Sequence, residues 1–242
     1  MVKIRHENIE GWGEASPFST GEKPQPTTII QQALQQITPA LEKFSPLDRQ
    51  QIEQVLTESQ IPSAARAAID MALHDWVGKK VGLPLWRLWG LERDRIVPIS
   101  VTIGISTPEV AKQRVRNWLE FIDVRVLKVK LGSSEGVEAD KAMLMAVKES
   151  APPDSLLYVD ANGGWSLEDG VKMCDWLATV GVIYVEQPLA AVSAMADLPH
   201  LYERSPLPIF VDESCFTAKD IPRLADRVHG CLLYTSPSPR DA

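Results

Sequence analysis

Three acids and two lysines are placed so that they could do chemistry together. Asp160, Glu186 and Asp212 each close a short apolar run, and they follow one another at intervals of 26 residues. Lys128 and Lys130 close an earlier run, Val126–Lys130, and Asp160 lies 30 residues beyond Lys130. Three carboxylates gathered in one place repel unless a cation sits among them. All-oxygen donors suit Mg2+ or Mn2+ better than Zn2+. Two lysines two positions apart on a strand face the same side. Beside a divalent metal they should lower each other's pKa from about 10.4, leaving one neutral enough to take a proton. Duller readings stay open. Each acid could cap the next helix, and the lysines could face solvent, although Val126, Leu127, Val129 and Leu131 are too apolar for an edge. Asn162 could hydrogen-bond a ligand carboxylate from behind or shape an Asn-Gly-Gly turn. Glu213, next to Asp212, is sent to the opposite face by strand alternation.

The elements that must position these groups follow from the same spacing. An interval of 26 to 30 residues is one strand, one helix and two short loops. Runs ending at Lys130, Asp160, Glu186 and Asp212, preceded by Ile96–Ile105, give five such units. Bounded β-branched runs read as strands of a parallel sheet buried on both faces. In a (β/α) barrel the strand C-terminal ends share one rim, where active sites sit. The expected fold is therefore α/β: a partial (β/α) barrel of about five of eight units over residues 95–230. Its helices are expected at 136–149, 167–180, 194–204 and 218–227. Residues 1–94 read as an incomplete α+β capping domain, with a strand region broken at Gly11 and Gly13 and a helix opening at Ser63. That helix carries small residues (Ala64, Ala67, Ala68, Ala72) that allow close packing. Residues 231–242 contain Pro237 and Pro239, make a poor central strand, and are expected to be a non-native tail.

The chain has 242 residues and a net charge of −7, which argues against general nucleic-acid or membrane-surface binding. Three cysteines without CxxC spacing read as free thiols and point to a reducing, cytoplasmic setting. No run approaches the roughly 18 apolar residues of a membrane span.

With these motifs in hand, the sequence resembles the mandelate racemase/muconate lactonizing enzyme branch of the enolase superfamily. The resemblance rests on Gly11-Trp12-Gly13-Glu14-Ala15, Ala68–Asp75, Leu127-Lys128-Val129-Lys130-Leu131-Gly132, Val159-Asp160-Ala161-Asn162, Val185-Glu186-Gln187-Pro188 and Val211-Asp212-Glu213-Ser214, in order. It implies a Mg2+-dependent isomerase, one ion per subunit with Mn2+ as an alternative, held by Asp160, Glu186 and Asp212. Lys130 is then the base that takes a proton α to a carboxylate, and Lys128 its electrostatic helper. Thr102 would lie near substrate with Lys128, and Asn162 behind the metal ligands. Within the branch the likeness is greatest to dipeptide epimerases of the L-Ala-D/L-Glu type, with a small dipeptide or carboxylate as partner and a homo-oligomer in the full-length parent. An o-succinylbenzoate synthase or muconate cycloisomerase chemistry, and a non-catalytic metal-binding protein, are the alternatives. The resemblance further implies a second lysine beyond Gly230, first cap strands with a lid loop, and strands six to eight. On that reading the chain is truncated at both ends, poorly folded and essentially inactive.

Overall fold

The computed structural model describes residues 1–17, 24–215 and 218–232. The chain divides into two compact units, one from Met1 to Ile96 and one beginning at Val97.

In the first unit, β1 (Val2–His6) and β2 (Ile9–Gly13) form an antiparallel hairpin. Its turn residues Glu7 and Asn8 both have positive φ, as two-residue hairpin loops require. Helices α1 (Thr27–Leu41), α2 (Arg49–Glu58), α3 (Ser63–Val81) and the short α4 (Leu85–Leu88) follow. The hairpin lies directly on α3. A Cβ on Gly13 would stand 1.9 Å from the Ala68 carbonyl oxygen, and one on Gly11 would stand 2.1 Å from that of Ala72. Small residues on both partners are what let two backbones approach this closely. Trp76 of α3 is buried, and its indole N–H donates to the His6 carbonyl at 3.0 Å.

In the second unit, six parallel strands lie in chain order: β3 (Ser100–Ile103), β4 (Val126–Lys130), β5 (Leu156–Asp160), β6 (Val182–Glu186), β7 (Ile209–Val211) and β8 (Gly230–Cys231). Between them run α5 (Pro108–Phe121), α6 (Val137–Ser150), α7 (Leu167–Val180), α8 (Ala191–Arg204) and α9 (Ile221–Leu224). Thr107 opens α5 by accepting a hydrogen bond from the Val110 N–H, and Ser166 opens α7 in the same way through Asp169. α9 is shorter than the expected 218–227 span, and Pro222 sits in its first turn. The strand expected over 96–105 is confined to Ser100–Ile103.

The strands correct one expectation. They are not apolar on both sides. Leu127, Val129, Val159, Val185, Ile209 and Val211, all fully buried, pack in one core with Ala111, Leu144, Leu177, Leu198 and Leu201. Burying each large aliphatic side chain contributes about 1.5–3 kcal/mol. The alternate positions carry Thr102, Lys128, Lys130, Tyr158, Asp160, Tyr184, Glu186 and Phe210. Cys174 of α7 lies in the same core, and burial pushes its thiol up to about 11, against a hydrogen bond from Ser205. The sheet also carries a sixth strand where a poor one was expected. Gly230–Cys231 pairs with Phe210–Val211, and a side chain at Gly230 would meet the Phe210 ring at 2.6 Å. Most of the expected tail, 233–242, lies outside the described residues.

A charged cluster ties α2 to α3. Arg49 and His74 both contact Asp70, with His74 Nδ1 3.2 Å from Asp70 Oδ2. The Asp70 hydrogen bond raises the His74 pKa against the effect of burial. Burial alone would raise Asp70, but His74 and Arg49 outweigh it and hold the carboxyl below its ordinary range. The raised His74 contributes stability below about pH 6.5 and loses it as pH rises through its folded value. The lowered Asp70 contributes above about pH 3.9 and loses it as pH falls through its folded value. His74→Gln should therefore cost about 1 kcal/mol more at pH 5.5 than at pH 8.5. Urea unfolding of both proteins at the two pH values measures this, and an equal cost at both would refute it.

Candidate functional site

Strand register builds the site. Parallel pairing sets Lys128 beside Thr102, Lys130 beside Asp160, and Asp160 beside Glu186. The Lys128 ammonium donates to Glu186 Oε1 at 2.6 Å and lies 3.1 Å from Asp160 Oδ2. Lys130 donates to Asn162 Oδ1 at 2.8 Å and lies 3.4 Å from Asp160 Oδ2. Asp160 and Glu186 are buried almost completely, and Glu186 Oε2 has no hydrogen-bond partner.

The electrostatics follow from that burial. Glu186 is pushed up to about 7, by burial first and then by the charge of Asp160, with Lys128 opposing. Asp212 is pushed up to about 6, by burial, then Glu213, with Asp160 adding to it. Lys128 is governed by its burial and by the two acids beside it. Burial is the largest influence on it and does lower its pKa, but the Glu186 hydrogen bond and the two carboxylate charges prevail, so its pKa is raised. Lys128 is therefore held as a cation. β7 ends at Val211, just before Asp212 and Glu213, and the Glu213 charge raises Asp212.

The loops beyond the strands are fixed by polar side chains. Asn162 adopts φ 49° in its turn and reaches the Asp160 carboxylate through its backbone rather than its side chain. Its backbone N–H donates to Asp160 Oδ1 at 3.0 Å, its Nδ2 donates to the carbonyls of Leu131 and Asp160, and its Oδ1 orients Lys130. The loop after β4 touches the loop after β5 through bare backbone. Gly132 has φ 87°, and a Cβ there would stand 2.1 Å from the Ala161 carbonyl oxygen. Asp140 of α6, buried, accepts from the N–H groups of Gly132 and Ser133 and from the Trp165 indole. Gln187 bridges from the end of β6 to the turn after β7. On the strands themselves, Tyr158, Tyr184 and Phe210 stack at 4.4 and 4.7 Å between ring centroids. Asp140, Gln187 and the aromatic stack escape a reading of the sequence. The alternation of Tyr158 with Asp160 and of Tyr184 with Glu186 was the available signal for the stack.

Among the described residues, no three His, Cys, Asp or Glu side chains are placed so as to enclose an ion. Lys128 stands between Asp160 and Glu186 instead. The donor set nevertheless fits a hard divalent cation. It offers only carboxylate oxygens, one of them buried and unpartnered, with Glu186 and Asp212 both raised partly by the charge of Asp160.

A parallel sheet with acids and lysines clustered at the strand ends is the layout of an enolase-type (β/α) domain. Comparison makes the assignment specific. Residues 109–231 match the Enolase C-terminal domain-like family, and residues 1–90 match the Mandelate racemase / muconate lactonizing enzyme, N-terminal domain family. The chain belongs to the mandelate racemase/muconate lactonizing enzyme family. It is 44% identical over 222 residues to a hydrophobic dipeptide epimerase of Flavobacteria bacterium (strain MS024-2A), matching 91% of this chain and 62% of that relative. It is 43% identical to a hydrophobic dipeptide epimerase of Roseobacter litoralis, matching 96% of this chain and 66% of the relative. The chain thus spans about two thirds or less of the length of these relatives. The crystal structure of the dipeptide epimerase from Enterococcus faecalis V583, complexed with Mg and L-Leu-L-Tyr, superposes with TM-score 0.85 at 30% identity, covering 99% of this chain and 68% of that one.

Lys128→Met should leave two buried acids without their cation. We expect a loss of about 3 kcal/mol or more at pH 8.5, shrinking as pH falls below about 7 and Glu186 takes up a proton. Urea titrations at pH 8.5 and 5.5 test this, and a pH-independent loss would contradict it.

Proposed function

We propose that this site removes the proton α to the carboxylate of a dipeptide, the step on which dipeptide epimerisation depends. The observation that carries the reading is the division of labour between two lysines on one strand. Lys128, wedged between Asp160 and Glu186, is held protonated. Lys130 is more exposed, meets a carboxylate only at 3.4 Å, and is aimed by Asn162. Lys130, as the neutral amine, would accept the α-proton on its Nζ. Lys128 would supply fixed positive charge beside the reacting carboxylate. Thr102, level with Lys128 on the neighbouring strand, would border the substrate. Asp160, Glu186 and Asp212 would hold Mg2+, which when bound would offset negative charge developing on the substrate.

The substrate class draws support from the relatives. Those at 44% and 43% identity are named hydrophobic dipeptide epimerases, and an L-Ala-D/L-Glu epimerase from Bacteroides thetaiotaomicron is 35% identical. We therefore extend the expected L-Ala-D/L-Glu substrates to dipeptides with hydrophobic side chains. Mg accompanies a dipeptide in the structures from Enterococcus faecalis and Cytophaga hutchinsonii, which supports the metal.

The test is deuterium uptake at the α-carbon in D2O with Mg2+, offering L-Ala-L-Glu and L-Leu-L-Tyr in parallel. Lys130→Ala should slow uptake by about 100-fold or more, leaving Mg2+ binding and the unfolding midpoint in place. Uptake at the unaltered rate in that variant would remove Lys130 from the chemistry.

A further inference from the structure

Gln187 is a buried polar side chain that the proposed chemistry does not use. It is 1% exposed, and its φ of 38° is left-handed for a residue with a side chain. Such backbone persists only where the surroundings dictate it. Here they do. The backbone N–H of Gln187 donates to the Phe210 carbonyl at 2.8 Å. Side-chain Oε1 accepts from the N–H groups of Asp212 at 3.0 Å and Ser214 at 3.2 Å. Side-chain Nε2 donates to the Leu189 carbonyl at 2.7 Å and to Ser214 Oγ at 2.8 Å. Both amide donors and both acceptor positions are filled, the full capacity of a glutamine.

The position of these bonds gives them a consequence. β7 ends at Val211, one residue before Asp212, so the strand ladder stops short of the acid. Gln187 directly follows Glu186. One side chain therefore fixes the backbone that carries Asp212 relative to the backbone that carries Glu186. We propose that Gln187 is a positioning residue that sets the separation of the Glu186 and Asp212 carboxylates and so governs how tightly the site takes a divalent cation. The proposal rests on the metal reading above. Partners that orient ligands without touching the metal alter affinity by about 10–100-fold when removed.

The test uses the full 242-residue chain and two readouts. Mg2+ affinity is measured by titration calorimetry for the unaltered protein, Gln187→Met, Asp212→Asn and the double variant. Gln187→Met should weaken Mg2+ binding about tenfold or more, and the same change in the Asp212→Asn background should have an effect of less than about twofold. Amide hydrogen exchange is read in the same proteins without metal. In Gln187→Met the amides of Asp212 and Ser214 should exchange at least about tenfold faster, while those of Leu131 and Val185 keep their rates. Should Gln187→Met fail to fold, Gln187→Asn keeps the amide, shortens its reach, and is read in the same two ways. Unchanged Mg2+ affinity, or an equal loss in both backgrounds, overturns the proposal. Absence of Mg2+ uptake by the unaltered protein would remove the metal reading itself. Uptake with undisturbed exchange at Asp212 and Ser214 would remove Gln187 alone.

Discussion

Asp160 and Glu186 are neighbours of like charge, both buried, and keeping both ionised requires a cation against them. Lys128 is that cation, in contact with both. Much of the second unit can be understood as what is needed to keep these charges in place. The parallel ladder fixes their lateral order, and the helix-facing residues between them hold the strands in register. The polar face exists because the aliphatic face is so thoroughly buried. A fully buried Val129 lies between Lys128 and Lys130, and a fully buried Val159 precedes Asp160. A slip of one residue in register would send these charges into the core.

The division between the two lysines is set by their neighbours. They share a strand and a face, yet Lys128 meets two carboxylates while Lys130 meets one more distantly and an amide oxygen. From the residues alone, the Lys-x-Lys motif set both lysines on one face and left open which would be the neutral one. The structure gives them different environments because Glu186 sits two strands away from β4, within reach of the deeper lysine.

The strand units, their order and the convergence of Lys128, Lys130, Asp160 and Glu186 were legible in the sequence. Each apolar run ends in a charged residue, and the intervals match one strand plus one helix. What was not legible has a common physical origin. Asp140 acts on Gly132, Ser133 and Trp165, and Gln187 acts on Asp212, 25 residues ahead. Isolated polar residues with remote partners leave no periodic trace. The second face of the strands is polar although Asp160 and Glu186 on it are buried, because lysine, tyrosine and acid alternate with the aliphatic residues, a pattern hidden within short runs that read as apolar. The sixth strand was missed because only two residues form it, and its glycine is needed to clear the Phe210 ring. Asp212 falls just past the end of β7, so its placement depends on a turn that strand periodicity does not describe.

Cys174 gives the core a chemical signature of its own. A thiol whose pKa lies near 11, sealed between α7 and the sheet, holds almost no thiolate at neutral pH. Alkylating reagents must therefore wait until the helix leaves its strands. The rate at which this one sulfur is labelled becomes a clock for the opening of the surrounding core, read without any introduced probe.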